Sequence, residues 1–358
     1  MTDERLRTYA NLLVERCVGV QPGWQVSVAT HSFESRPLVE AIIEEIARKG
    51  AYALPRIAAG WAGLIWAKNA PDEVLGESCN ISRYEAEKVD AMILINDSEN
   101  TSDGSDLAPE KMALMVKGRM PAFQRRLSLQ VPWVGCQYPT NALAQDARMV
   151  LSQFEDFLYG ACLLDWDEEE KKMRRLADRF DAAKEVRIVG EGTDLKIGIE
   201  GRQAMIDDGH LNMPGGEFFF SPLEDATEGE VTFSEFPAVY SGNEVEGAWM
   251  RYEGGRVVDA KADVNEEFLI KTLDSDDGAR VLGELGIGCN PGITQHMRNV
   301  LFDEKIYGTV HLAIGAGFPF IGGKNTSAVH WDMVKDLRRG GEIFCDGELV
   351  QSNGEWQF

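Results

Sequence analysis

Ala91-Met92-Ile93-Leu94-Ile95 is an unbroken apolar run that gives way to the polar, turn-rich stretch from Asp97 to Ala108. A strand with water on one side alternates apolar and polar residues, whereas an uninterrupted run is expected where both faces are covered. The run therefore predicts a strand buried between two layers, and the residues before it supply them. Residues 3–17 place Leu6, Tyr9, Leu12, Leu13 and Arg16 at helical spacing, with Thr2 or Asp3 as the N-cap. Gln21-Pro22-Gly23 is a turn, and Trp24–Ala29 alternates as a strand. A helix opened by Ser35-Arg36-Pro37 runs to Arg48 and stops at Gly50. Ala51–Arg56 is again strand-like. Strands alternating with helices specify a largely parallel sheet with helices packed on it.

Past Ala108, helices are predicted at 110–126, 140–163 and 167–184. From Val186 the texture changes to short strands parted by glycine-rich turns. Glu253-Gly254-Gly255-Arg256 reads as a hairpin turn, and a helix is predicted over about 264–283. The expected fold is α/β: an N-terminal α/β domain over residues 1–184, then a β-rich α+β domain over 185–358. The length of 358 residues agrees, because single cores stop growing at roughly 250–300 residues.

A net charge of −23 would repel a polyanion, and the Lys and Arg patches that displace counterions from phosphates are absent, so nucleic acid is not an expected partner. No run of about 18 apolar residues is present, so no membrane span is expected. Met1-Thr2-Asp3-Glu4-Arg5 opens into a charged helix rather than a leader peptide. Cys17, Cys79, Cys136, Cys162, Cys289 and Cys345 are scattered without a Cys-x-x-Cys pair, which argues against a thiolate zinc site or a disulfide framework. A reduced, cytoplasmic protein is expected.

The chemistry concentrates near the C-terminus. In Thr326-Ser327-Ala328-Val329-His330-Trp331-Asp332-Met333-Val334, strand alternation places Val329, Trp331 and Met333 on an apolar face and His330 with Asp332 on the other. In Tyr307-Gly308-Thr309-Val310-His311-Leu312-Ala313-Ile314-Gly315, Val310, Leu312 and Ile314 share one face. His311 shares the other with the small residues Thr309, Ala313 and Gly315, which leave space above the imidazole. A glycine-rich connection over 315–325 predicts that the two strands pair. Glu217 lies between Pro214-Gly215-Gly216 and Phe218-Phe219-Phe220, and Glu284 closes the predicted helix in Gly283-Glu284-Leu285-Gly286-Ile287-Gly288. A carboxylate in such apolar surroundings is costly without a cation. Two Glu, two His and one Asp form the mixed nitrogen and oxygen set of a hydrolytic metal pair; Zn²⁺, Co²⁺ and Mn²⁺ all suit it. Gly315-Ala316-Gly317 is no dinucleotide cradle, since Pro319 stands where a helix should begin and the third glycine is missing. There is no Gly-x-Ser-x-Gly elbow.

These motifs resemble the thermophilic aminopeptidase family typified by aminopeptidases T and S. The resemblance spans nearly the whole chain, from Val20-Gln21-Pro22-Gly23, Trp133-Val134-Gly135 and Gly192-Thr193-Asp194-Leu195 to more specific C-terminal stretches. Those stretches are Pro214-Gly215-Gly216-Glu217, Gly283-Glu284, Leu301-Phe302-Asp303-Glu304, His311-Leu312-Ala313-Ile314-Gly315 and His330-Trp331-Asp332. The resemblance implies that Glu217, Glu284, His311, His330 and Asp332 are metal ligands, with Glu284 bridging two divalent ions or assisting the water. It also implies a cytoplasmic homodimer that removes N-terminal residues from peptides. A metal holding the free α-amine would explain a requirement for an unblocked N-terminus, and Glu284 or Glu217 would carry the proton to the leaving amine. Phe318 stands, substrate-adjacent, where the family has a tyrosine seven residues after the first ligand histidine. Asn290-Pro291-Gly292-Ile293 replaces the family's Asp-Ser-Pro-Ile. The alternatives are a metal- or peptide-binding protein without turnover, or a hydrolase of a small amide.

Overall fold

The computed structural model describes residues 3–104 and 106–358. The chain forms two compact units, Met1–Leu163 with Gly209–Gly215, and Leu164–Asp208 with Gly216–Phe358. The division falls at 163/164 rather than at 184. The reason is the helix Trp166–Asp181, whose Met173, Ala177 and Phe180 join the same apolar core as the C-terminal strands.

The first unit is built on a fully parallel sheet. Its strands lie in the order Tyr52–Ile57, Gln25–Thr30, Ala91–Asn96, Trp133–Gln137 and Asn212–Met213. Ala91, Ile93 and Ile95 are buried, whereas Met92 and Leu94 are only partly so, where the apolar run predicted both faces covered. The last strand is a two-residue return of the chain with no apolar run of its own. Asp3 caps the first helix by accepting from Arg5 N, and Thr2 lies outside the described residues. That helix passes at Leu13–Cys17 into a π-helical turn, which rotates the inward face so that Val14 and Cys17 are buried and Leu12 and Arg16 are only partly covered. The expected helix over 140–163 is two, Asn141–Asp146 and Leu151–Cys162, parted where Arg148 takes φ +57°. Three short helices between Gly60 and Lys88 had no expectation attached.

The second unit carries two main sheets. One has eight antiparallel strands, and in it Ala248–Glu253 and Arg256–Lys261 form the expected hairpin, with Gly254 and Gly255 at φ +55° and +78°. The other has five, ordered His330–Asp336, Thr309–Gly315, Leu282–Gly288, Glu217–Phe220 and Met205–Asp207. Phe218, Phe220, Leu285, Ile287, Val310, Leu312, Ile314, Trp331 and Met333 of this sheet sit in the core shared with the eight-stranded one. Five of the residues in that core come from the two histidine strands, on the alternation read from the sequence, and Val329 just before the second strand joins them.

The helix expected over 264–283 ends at Leu273. Glu284 lies in the strand Leu282–Gly288, not at a helix end. Gly283, Gly286 and Gly288 disfavour a helix, and each lies against neighbouring backbone or a side chain that would collide with a Cβ. Among the described residues no helix is long and apolar enough to cross a membrane. All six cysteines are free thiols, and only Cys79 is exposed.

Candidate metal centre

Four neighbouring strands of the five-stranded sheet bring the expected residues to one face. Glu217 opens its strand opposite Gly288, Gly286 lies opposite His311, Ala313 opposite Asp332, and Gly315 opposite His330. The pleat alone would not place Glu284 there. Leu282 and Leu285 both point into the core, an odd spacing that strict alternation forbids. The pairing slips between Leu282 and Glu284, and this bulge turns Glu284 onto the histidine face. Gly286 completes the arrangement. A Cβ at that position would lie 1.9 Å from His311 Cε1, so only glycine lets the imidazole lie across the adjacent strand. At Gly216, φ is +110° and a Cβ would meet that of Asn290 at 2.6 Å, which fixes the backbone just before Glu217.

Glu284 stands between the two imidazoles. Its Oε1 is 3.4 Å from His311 Nε2 and its Oε2 is 3.1 Å from His330 Nε2. His311 Nε2 also lies 3.4 Å from Glu217 Oε2, and His330 Nε2 lies 3.7 Å from Asp332 Oδ1. Glu284, His330 and Asp332 each offer a donor atom within 4.8 Å of the others. On the far side of each ring, His311 Nδ1 is 3.0 Å from the Glu304 carbonyl oxygen and His330 Nδ1 is 2.9 Å from that of Ala316. A carbonyl only accepts, so both Nδ1 atoms carry the proton, and both Nε2 atoms turn towards the carboxylates. Phe318 packs its ring 5.1 Å from that of His330, and its backbone N–H donates to Ser221 Oγ.

Three further charged residues that the sequence reading did not single out as ligands stand beside the five. Lys305 is wholly buried, with Nζ 3.0 Å from Glu217 Oε1, 3.1 Å from Glu304 Oε2 and 3.8 Å from Asp207 Oδ2. Glu304 closes the Leu301-Phe302-Asp303-Glu304 stretch. A lysine following Asp303-Glu304 reads as a surface ion pair. The signal that would have found it is electrostatic: so many buried carboxylates require a fixed cation.

Titration behaviour follows from this crowding. Burial opposes charge on the imidazoles, yet the surrounding carboxylates raise His311 and His330 to about 10. Burial likewise opposes charge on Glu284, but hydrogen bonding to the two imidazoles holds it at about 2. Burial pushes Glu304 up to about 7 and raises Glu217 and Asp332, while the nearby carboxylates outweigh burial and raise Lys305. The cluster thus retains protons to offset its own negative charge. Glu217 Oε2 and Asp332 Oδ1 are buried and accept no hydrogen bond. Buried carboxylate oxygens without donors are costly, and a divalent cation bound by Glu, Asp and imidazole Nε2 satisfies them. The donor set fits such ions.

The profile of the thermophilic metalloprotease (M29) family matches residues 2–356. Aminopeptidase AmpS of Bacillus subtilis (strain 168) is 29% identical, with 99% of both chains covered. Aminopeptidase T of Thermus aquaticus is 37% identical over 36% of this chain and 34% of its own. The solved structure of wild-type AmpT from Thermus thermophilus superposes with a TM-score of 0.85 and 22% identity over 99% of both chains, a likeness of fold. With a match to the family profile that runs almost end to end, the chain belongs to the M29 family of thermophilic metalloproteases.

Proposed function

We propose that this metalloprotease is an aminopeptidase that releases the N-terminal residue of peptides at a centre of two divalent ions held by Glu217, Glu284, His311, His330 and Asp332. The observation that carries the reading is the convergence of these five side chains on one face of one sheet, with two carboxylate oxygens left without donors. Charge supports the count of two. Glu217, Glu284, Glu304, Asp332 and Asp207 against Lys305 leave four negative charges, which two divalent cations neutralise. The relatives' names, aminopeptidase AmpS and aminopeptidase T, support the reaction class.

When bound, such ions polarise a carbonyl and lower the pKa of a water molecule towards neutrality. The protein's own groups supply the rest. Glu284, between the imidazoles, is suited to serve both ion positions. Burial makes Glu217 the readier of the two glutamates to take up a proton and pass it to the departing amine. The negative cluster attracts the ammonium of an unblocked peptide. Phe318 closes the His330 side with an apolar ring and offers no side-chain donor to a developing oxyanion. That ring is the observation favouring the second reading, a protein that binds ions and peptide without turnover. Zn²⁺, Co²⁺ and Mn²⁺ remain the candidate ions, and a cytoplasmic homodimer is part of the proposal.

Protein loaded with each metal, assayed on a free peptide and on its N-acetylated form, tests the reading. Turnover of the free peptide alone is expected. Equal turnover of both would contradict amine recognition, and bound metal without turnover of either would favour the second reading.

A further inference from the structure

The centre contains a buried ammonium that hydrolysis itself does not call for. Lys305 has no solvent exposure, and a charge so placed persists only among carboxylates. Glu217, Glu304 and Asp207 provide them. In return, the ammonium engages Glu217 Oε1, so that only Oε2, 3.4 Å from His311 Nε2, faces the cluster without a hydrogen bond. The other half of the centre is different. Glu284, His330 and Asp332 already lie within 4.8 Å of one another, and among the described residues no lysine or arginine pairs with Glu284 or Asp332.

We propose that Lys305 is a positioning residue that makes the two ion sites unequal. The site of Glu284, His330 and Asp332 binds its ion tightly. The site that depends on Glu217 and His311 binds weakly and exchanges its ion. Two physical effects act in the same direction there. Lys305 withdraws one of the two oxygens Glu217 could offer, and its positive charge repels a dication across a few ångströms of poorly screening interior. The inference rests on the two-ion reading above.

Calorimetric titration of the metal-free, full-length protein with Zn²⁺ tests it, using wild type, Lys305→Met and Lys305→Arg. Wild type should bind two ions with affinities at least about tenfold apart, the repulsion acting on one site only. Lys305→Met should tighten the weaker ion by about tenfold or more and leave the tighter one within about threefold. Lys305→Arg, which keeps the charge, should keep the gap. Should Lys305→Met fail to fold, Lys305→Gln, which removes the charge but keeps a polar group, takes its place with the same expected tightening. Two ions of equal affinity in wild type, a Lys305→Met curve that superimposes on wild type, or a weakening of both ions in that variant would overturn the role of Lys305 while leaving two ions bound. A wild type that takes up fewer than two ions would instead overturn the two-ion reading, and the inference with it.

Discussion

Both units bury carboxylates, and the two cases are opposite in kind. In the first unit Asp97 is wholly buried at the end of the Ala91–Asn96 strand. It accepts from His31 N at 2.8 Å, from Ser32 N and Oγ at 3.2 and 3.1 Å, and from Ser35 Oγ. Every donor comes from the segment 31–35, and the result is a fastened loop. In the second unit Glu217 is buried and Asp332 partly so, yet each has a buried oxygen that accepts nothing. Burial of an acid is therefore not the mark of a working site. Glu217 and Asp332 differ from Asp97 in combining burial with donors withheld, a cost that a bound ion would relieve.

The contrast can be broken most decisively at Glu284. Glu284→Ala removes the group between both imidazoles, and the expected result is loss of both ions with a fall in activity of about 10³-fold or more. Metal analysis beside turnover checks it, and full metal content in the variant would sink the assignment. Asp97→Ala should do the reverse. Stripped of its acceptor, the loop leaves several donors unpaired, at a cost of about 2–4 kcal/mol in urea unfolding, with metal content unchanged. Gly286→Ala probes the space left for His311, and a displaced imidazole should lower turnover by about 10²-fold while the fold survives. Unchanged turnover would mean that the ring can lie elsewhere.

Protonation offers a gentler test. His311 and His330 stay protonated up to about pH 10 without metal, whereas an ion needs the bare Nε2. Binding at pH 7 must then expel a proton from each ring. Affinity should rise with pH, by about tenfold per unit for each proton displaced, and weaken as pH falls. Calorimetry in buffers of different ionisation enthalpy reads the released protons directly, and a buffer-independent heat would refute the displacement. The smallest effect is expected at Phe318. Phe318→Tyr adds a donor beside His330 and should raise turnover by a few-fold, less than a fully aligned oxyanion donor of about 10²-fold. No change in kcat would show that the ring does not face the developing charge.

Much of this was legible because the strands obey simple periods. Val310, Leu312 and Ile314 gave away one face of the site sheet, and Val329, Trp331 and Met333 continued it. The unbroken run at residue 91 identified the parallel sheet. What escaped depends on contacts between distant segments. The helical spacing around Leu269 and Leu273 masked the strand that follows, and no local rule announces a bulge at Gly283. Asn212–Met213 joins the parallel sheet on two residues, too few to leave a period. Residues 60–88 form helices with Trp61, Trp66 and Tyr84 exposed, so no apolar stripe betrays them. Lys305 is charged by composition and interior by topology, and only the assembled sheet shows which of these governs.

The tautomers of His311 and His330 are fixed by the main chain. Both rings hand their Nδ1 protons to main-chain oxygens, at residues 304 and 316. A carboxylate serving as the outer partner of a histidine is vulnerable to any codon change that removes it. A peptide carbonyl is present whatever side chain the gene specifies. The aim of these two rings is thus written into the route of the polypeptide, and genetic drift at either position can alter it only by bending that route.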